Sequence, residues 1–263
     1  MNSSDKPGAR VRGLAVRTWG AGEPLVLLHG GMGTWNHWSR NVDALARKYA
    51  VHALDMPGYG DSPTVDRDMP EDDYAAMVAE AVGAIGSYEP VRLAGFSFGG
   101  IVAALVAAQM GARIRRLSMM GPGGFGRSVK LDLRKIPLDT DGLRSVREVL
   151  RYNLQVMMIA DPAKVTGETV DLHYANVRRT RFDGRRVSLG NRMAELLGQI
   201  VCPVQVIWGE RDPLPYPDVQ ARVDVVRRAK PDARTDVIPG AGHWVQYEAP
   251  EAVNQALLDF LAS

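Results

Sequence analysis

An α/β fold with a mostly parallel central sheet, flanked by helices and interrupted by a helical insertion, is predicted by three observations. Short, nearly continuous apolar runs end in glycine-rich turns, amphipathic stretches of helical length alternate with them, and the alternation stops between residues 126 and 198. Apolar runs without a polar face suit strands buried on both sides of a sheet. Strand and helix in alternation put helices on both of those sides.

Six runs read as strands, in order PLVLLHGG (24–31), YAVHALDMPG (49–58), PVRLAGFS (90–97), IRRLSMMGP (114–122), PVQVIWG (203–209) and TDVIPGAG (235–242). Residues 72–87, 99–111 and 250–262 have helical spacing and length. Within the insertion, GLRSVREVLRYNLQVMMIA (142–160) sets Leu143, Val146, Leu150, Leu154 and Met157 on one stripe. TGETVDLHYANVRR (166–179) opens on Thr166 and Thr169, residues that cap helices. The expected organisation is a core of residues 1–125 and 199–263 and a helical lid of residues 126–198. The lid would lie over the carboxyl ends of the strands, where open α/β sheets bind ligands.

Composition bounds the function. A chain of 263 residues, 46% hydrophobic and 24% charged, suits one large globular domain or one domain carrying an insertion. A net charge of +2 without a long Lys/Arg run argues against nucleic acid as a partner. The single cysteine, Cys202, lies in the apolar run VCPVQVIWG, which makes it a core residue and leaves no internal disulfide. No stretch reaches the roughly 18 apolar residues of a membrane span, and MNSSDKPGAR lacks the apolar segment of a secretory leader. The expectation is a soluble cytoplasmic protein with a small-molecule substrate and no cofactor, metal, membrane or nucleic-acid partner; a homodimer stays open.

The chemistry concentrates at strand ends. GFSFG (95–99) fits G-x-S-x-G after a strand and before a helix, where the serine of a sharp turn projects its hydroxyl and flanking glycines let backbone pass closely. A serine hydroxyl needs a base held by a third group. His243, in GAGHW after the last strand, and Asp212, in WGERDP after the strand before it, supply both, with Glu210 as a substitute acid. Ser97, Asp212 and His243 thus run Ser, Asp, His, each just past a different predicted strand.

With LLHGG (27–31), DMPGYGDS (55–62), GFSFGG, WGERDP and GAGHW together, the sequence resembles the α/β-hydrolase superfamily over essentially its full length. The resemblance implies a catalytic triad of Ser97, Asp212 and His243. It also implies an oxyanion hole from the backbone N–H groups of Phe98 and Gly31, with Met32 next in line. By the same resemblance His29 ties down its loop, and Asp55 and Ser62 bond their own turn. Serine at position 97 sets aside the aspartate-bearing dehalogenases and epoxide hydrolases.

GHWVQYEAPEAVNQALLDFL is similar to hydrolases of meta-cleavage products, where a tryptophan follows the catalytic histidine; Trp244 would then line the pocket. Those enzymes carry asparagine where this chain has Phe96, and a lid arginine for which the insertion offers Arg178, Arg179 and Arg181. Met32, Trp35, Trp38, Phe96 and Phe98 are further candidate walls. The insertion holds 14 Lys/Arg against 9 Asp/Glu, enough to steer an anion or simply to solvate a helix face. GPGGFG (121–126) fits G-x-G-x-x-G, yet it leads into the insertion rather than opening a helix, and reads as a hinge at the lid's base. The reading is a serine hydrolase of small carboxylic esters or related acyl compounds. The alternatives are a carbon-carbon bond hydrolase of 2-hydroxy-6-oxo-dienoates and, more distantly, a ligand receptor on the same fold.

Overall fold

A computed structural model describes residues 9–87, 89–136 and 143–262, apart from the side chains of Leu143 and Arg144. Eight strands form one sheet: β1 (Ala9–Val11), β2 (Leu14–Trp19), β3 (Pro24–Leu28), β4 (Ala50–Leu54), β5 (Val91–Phe96), β6 (Ile114–Met120), β7 (Val204–Gly209) and β8 (Arg234–Ile238). Their order is β1-β2-β4-β3-β5-β6-β7-β8. The pairs from β4 to β8 are parallel, whereas β1 pairs antiparallel with β2 and β2 with β4.

The apolar runs of β3 to β7 are nearly continuous because these strands feed two cores, whereas β8 adds only Ile238, to one of them. In β3, Val26 and Leu28 enter one cluster while Leu25 and Leu27 enter the other. The first cluster lies under α2 (Glu71–Gly86), α3 (Phe98–Met110), α7 (Met193–Gln199) and α8 (Val219–Ala229). The second is covered by α1 (Val42–Leu45), α10 (Pro250–Ala262) and the helices α4 (Leu143–Asn153) and α5 (Gly167–Val177). Two short helices, α6 (Arg185–Ser188) and α9 (Val245–Glu248), complete the chain.

The six predicted strands correspond to β3–β8, and 72–87, 99–111 and 250–262 to α2, α3 and α10. Between β6 and β7 the described residues contain no strand, as expected. Val146, Leu150 and Leu154 are buried, and Thr166 caps α5 by accepting from the N–H of Thr169. The stripe changes pitch at its end: α4 runs into a wider π-type turn over Leu154–Met158, so Met158 is buried and Met157 only partly. The later part of the insertion belongs with the main core, since Val187, Met193, Leu196 and Leu197 pack into the cluster beneath α3. Cys202 is buried, and burial pushes its thiol up to about 11, which makes it unreactive at neutral pH. Among the described residues no helix is long and apolar enough to cross a membrane.

Candidate active site

The carboxyl ends of β3, β5, β6, β7 and β8 deliver five loops to one region, beside the point where the strand order reverses around β3. Ser97 follows β5 directly and has φ +53°, a left-handed conformation that a residue with a side chain rarely adopts. The neighbouring glycines make that turn feasible: a Cβ on Gly95 would overlap the Gly99 carbonyl, and one on Gly99 would overlap the carbonyl of His29. The turn is held by the Ser97 N–H, which donates to Met120 O at 2.8 Å, and by the Gly123 N–H donating to Ser97 O at 3.1 Å. These bonds leave the hydroxyl part-exposed at the start of α3.

Ser97 Oγ lies 2.9 Å from His243 Nε2, and His243 Nδ1 lies 2.8 Å from Asp212 Oδ2. A carboxylate there requires the proton on Nδ1, so Nε2 is left to accept from the serine hydroxyl. Asp212 is itself fixed: its Oδ1 accepts from the Leu214 N–H at 3.0 Å. Such a chain converts a weakly nucleophilic hydroxyl into one whose proton has somewhere to go as the oxygen attacks. Glu210, the substitute acid, is exposed and instead accepts from the Gly240 N–H at 2.8 Å.

The loop after β3 passes over Ser97. A Cβ built on Gly31 would sit 3.9 Å from Phe98 Cβ, so the two backbones are neighbours. Neither the Gly31 nor the Phe98 N–H donates to a backbone carbonyl outside regular helix and strand bonding among the described residues. Met32 turns the chain with φ +51°. Below, His29 Nδ1 pairs with Gly30 O at 2.8 Å and its Nε2 accepts from the Met56 N–H at 3.0 Å, which makes it an anchor. Asp55 accepts from the N–H groups of Trp35 and Asp61, and Ser62 Oγ accepts from that of Ala15.

Beside Ser97 and His243 is a cavity of about 100 Å³, walled by Pro122, Phe125, Ser128, Ser188, Leu189, Trp208, Leu214, Pro215 and Arg222 together with the glycines of 121–126. GPGGFG is therefore a wall of the cavity. A Cβ on Gly121 would stand 3.0 Å from His243 Nδ1 and 3.2 Å from Asp212 Oδ2, so that position must be bare.

The expected walls lie elsewhere. Phe96 and Trp244 are fully buried, and both rings pack on His37, at 5.6 and 4.7 Å between centroids. Trp244 Nε1 donates to His37 O, and Trp38 Nε1 donates to Leu28 O. Trp35 packs on Trp19 with the rings tilted by 39°, while Arg178 is exposed over the Tyr174 ring; neither they nor Met32 line the cavity. Phe98 packs with Tyr59 and Tyr74. These rings pack into the core, and the cavity is lined mainly by loop residues, with Trp208 of β7, Ser188 of α6 and Arg222 of α8. Three arginines of the insertion are held in ion pairs: Arg179 with Asp61, Arg192 with Glu71 and Asp72, and Arg147 with Asp171. Arg147 thereby links α4 to α5, and Arg192 links the insertion to α2.

Sequence reasoning missed Arg222, His37 and Glu248. Glu248, buried, accepts from the N–H groups of Gly242, Ala160 and Asp161 at 2.8 to 3.0 Å and so joins the His243 loop to the insertion. Trp244 N–H adds a bond to Met158 O at 2.7 Å. His37 Nδ1 accepts from the Gly30 N–H at 3.2 Å, and burial holds this imidazole well below the usual range. The signal for Arg222 was its place on the apolar stripe of Val219, Val223 and Val226.

A profile of the alpha/beta hydrolase family matches residues 25–256. The chain belongs to that family. Over 262 residues this hydrolase is 33% identical to a 2-hydroxy-6-oxononadienedioate/2-hydroxy-6-oxononatrienedioate hydrolase of Paraburkholderia phymatum, an overlap of 92% of this chain and 88% of that one. Two solved structures share the fold. A meta-cleavage product hydrolase from Pseudomonas fluorescens IP01 aligns with TM-score 0.76 and 22% identity over 96% of each chain. A thermophilic esterase from Thermogutta terrifontis aligns with TM-score 0.71 and 21% identity over 95% of this hydrolase and 93% of that chain.

Proposed function

We propose that this hydrolase attacks carboxylic esters or related acyl compounds with Ser97 and passes through an acyl-enzyme. The observation that carries the proposal is the unbroken chain from Ser97 Oγ through His243 to Asp212, at 2.9 and 2.8 Å. Ser97 Oγ adds to the carbonyl carbon as His243 Nε2 takes its proton, and Asp212 stabilises the imidazolium. The oxyanion falls to the N–H groups of Gly31 and Phe98, a pair worth roughly 3 to 4 kcal/mol per donor. His243 returns the proton to the departing alcohol, and water, activated by the same ring, releases the acid. The helices between β6 and β7 act as the lid, and the single buried cysteine fits a reducing cytoplasm.

A second reading, carbon-carbon bond cleavage of a dienoate, is favoured by the relative from Paraburkholderia phymatum. Against it stands Phe96, whose buried ring beside His243 offers no polar anchor at the position before the nucleophile. Ester hydrolysis is tested with a p-nitrophenyl ester panel alongside 2-hydroxy-6-oxo-dienoates. Ser97→Ala should lose on the order of 10⁴-fold or more in kcat, and Asp212→Asn about 10⁴-fold. Wild-type protein inert on every ester but active on the dienoates would replace the first reading with the second.

A further inference from the structure

Arg222 is a charge in an unusual place. It sits on the buried stripe of α8, is 8% exposed, and faces the cavity that Ser97 and His243 share. Its guanidinium lies 4.9 Å from the Phe125 ring centroid, and it donates to the carbonyls of Phe125, at 2.7 Å, and Arg127. Those two bonds leave part of a five-donor fork unused. No carboxylate comes within ion-pair distance of it among the described residues. Asp212, the neighbouring acid, is committed through both oxygens to His243 and the Leu214 N–H. A cation held out of water calls for an anion, and a planar fork matches a carboxylate.

The cavity agrees in size and chemistry. At about 100 Å³ it is small beside the roughly 300–1,000 Å³ that hold drug-sized ligands. Ser128 and Ser188 add hydroxyls to a wall that also holds the apolar Pro122, Phe125, Trp208 and Leu214. We propose that Arg222 is the anchor of an anion subsite that selects esters carrying a carboxylate a few carbons from the reacting carbonyl, such as hemi-esters of short dicarboxylic acids. This rests on the serine-hydrolase reading above. The chemistry is unchanged: the ester bond to the alcohol breaks, a bond from Ser97 Oγ to the acyl carbon forms, and water releases the dicarboxylate.

The test compares kcat/KM for mono-p-nitrophenyl glutarate and p-nitrophenyl butyrate within each of wild type, Arg222→Gln and Arg222→Lys. The ratio of charged to neutral ester should fall at least about tenfold in Arg222→Gln, mainly through KM, and lie in between for Arg222→Lys. A ratio equal to wild type in either variant overturns the subsite. Calorimetric titration of glutarate into Ser97→Ala and into Ser97→Ala/Arg222→Lys reads the same subsite without turnover. There, a Kd weakened severalfold by the lysine supports it, and an unchanged Kd overturns it. Binding that depends on Arg222 in a protein whose wild type cleaves no ester would sustain the subsite and discard the hydrolase reading alone.

Discussion

The two flanks of Ser97 are built from opposite materials. On one side, Phe96, His37 and Trp244 interlock beneath the loop after β3, with no solvent reaching either large ring. On the other, the glycines of 121–126 and residues 212–215 line a cavity that opens beside His243. The first flank holds His243 and the loop after β3 still, because close-packed aromatic surface tolerates little displacement. The second leaves room for a reacting molecule. Positioning and reception are thus assigned to different sets of residues, although both sets touch the same histidine.

Substitutions on the packed flank should cost stability, and those on the open flank should alter kinetics. Trp244→Ala removes a fully buried ring that stacks on Tyr247 at 4.1 Å and should lower unfolding free energy by about 3–5 kcal/mol in urea titration. A loss below about 1 kcal/mol would mean the flank is not packed as described.

His173 sharpens the same contrast through pH. Burial lowers its pKa to about 4, against 6.5 for the ordinary group. Between those values the unfolded chain binds the proton and the folded one does not. The stability is therefore complete above pH 6.5 and is lost as pH falls towards 4, by on the order of 3 kcal/mol. Urea midpoints of His173→Gln should show a shallower pH dependence than wild type over that window; parallel curves would remove the imidazole from the account.

Gly121→Ala crosses from one flank to the other, because its methyl would press on His243 and Asp212 at φ +46°. Displacement of the base should cost kcat about 10²-fold. Leu189→Ala, by contrast, trims a cavity residue that is 55% exposed. Its stability should stay within about 0.5 kcal/mol of wild type while KM for bulkier esters changes.

Legibility in the sequence followed the same division. Strands β3, β5 and β7 were readable because both faces are buried, which leaves a nearly unbroken apolar signature, whereas β8, part-exposed along its length, was marked by the glycine-rich turn that follows it. The β1–β2 hairpin was not: β1 has three residues, and the turn uses Arg12 and Gly13, both at positive φ, without the Asn-Gly or Asp-Gly pair that usually marks such a turn. The Ser97, Asp212 and His243 positions could be found because each must follow a strand. Pocket residues could not, since whether a ring beside a motif faces the cavity or the core depends on register. Phe96 shares the face of Ala94 in β5 and so joins the core, next door to a serine that points out. Arg222 was hidden differently, by a helix whose apolar stripe it interrupts.

The Glu248 carboxylate has a consequence for time rather than position. One buried acceptor gathers the amides of Gly242, Ala160 and Asp161, from two stretches of chain far apart in sequence. Displacement of that one carboxylate would free all three at once. In deuterium oxide they should exchange as one unit, at a common opening rate, even though only Gly242 neighbours the base.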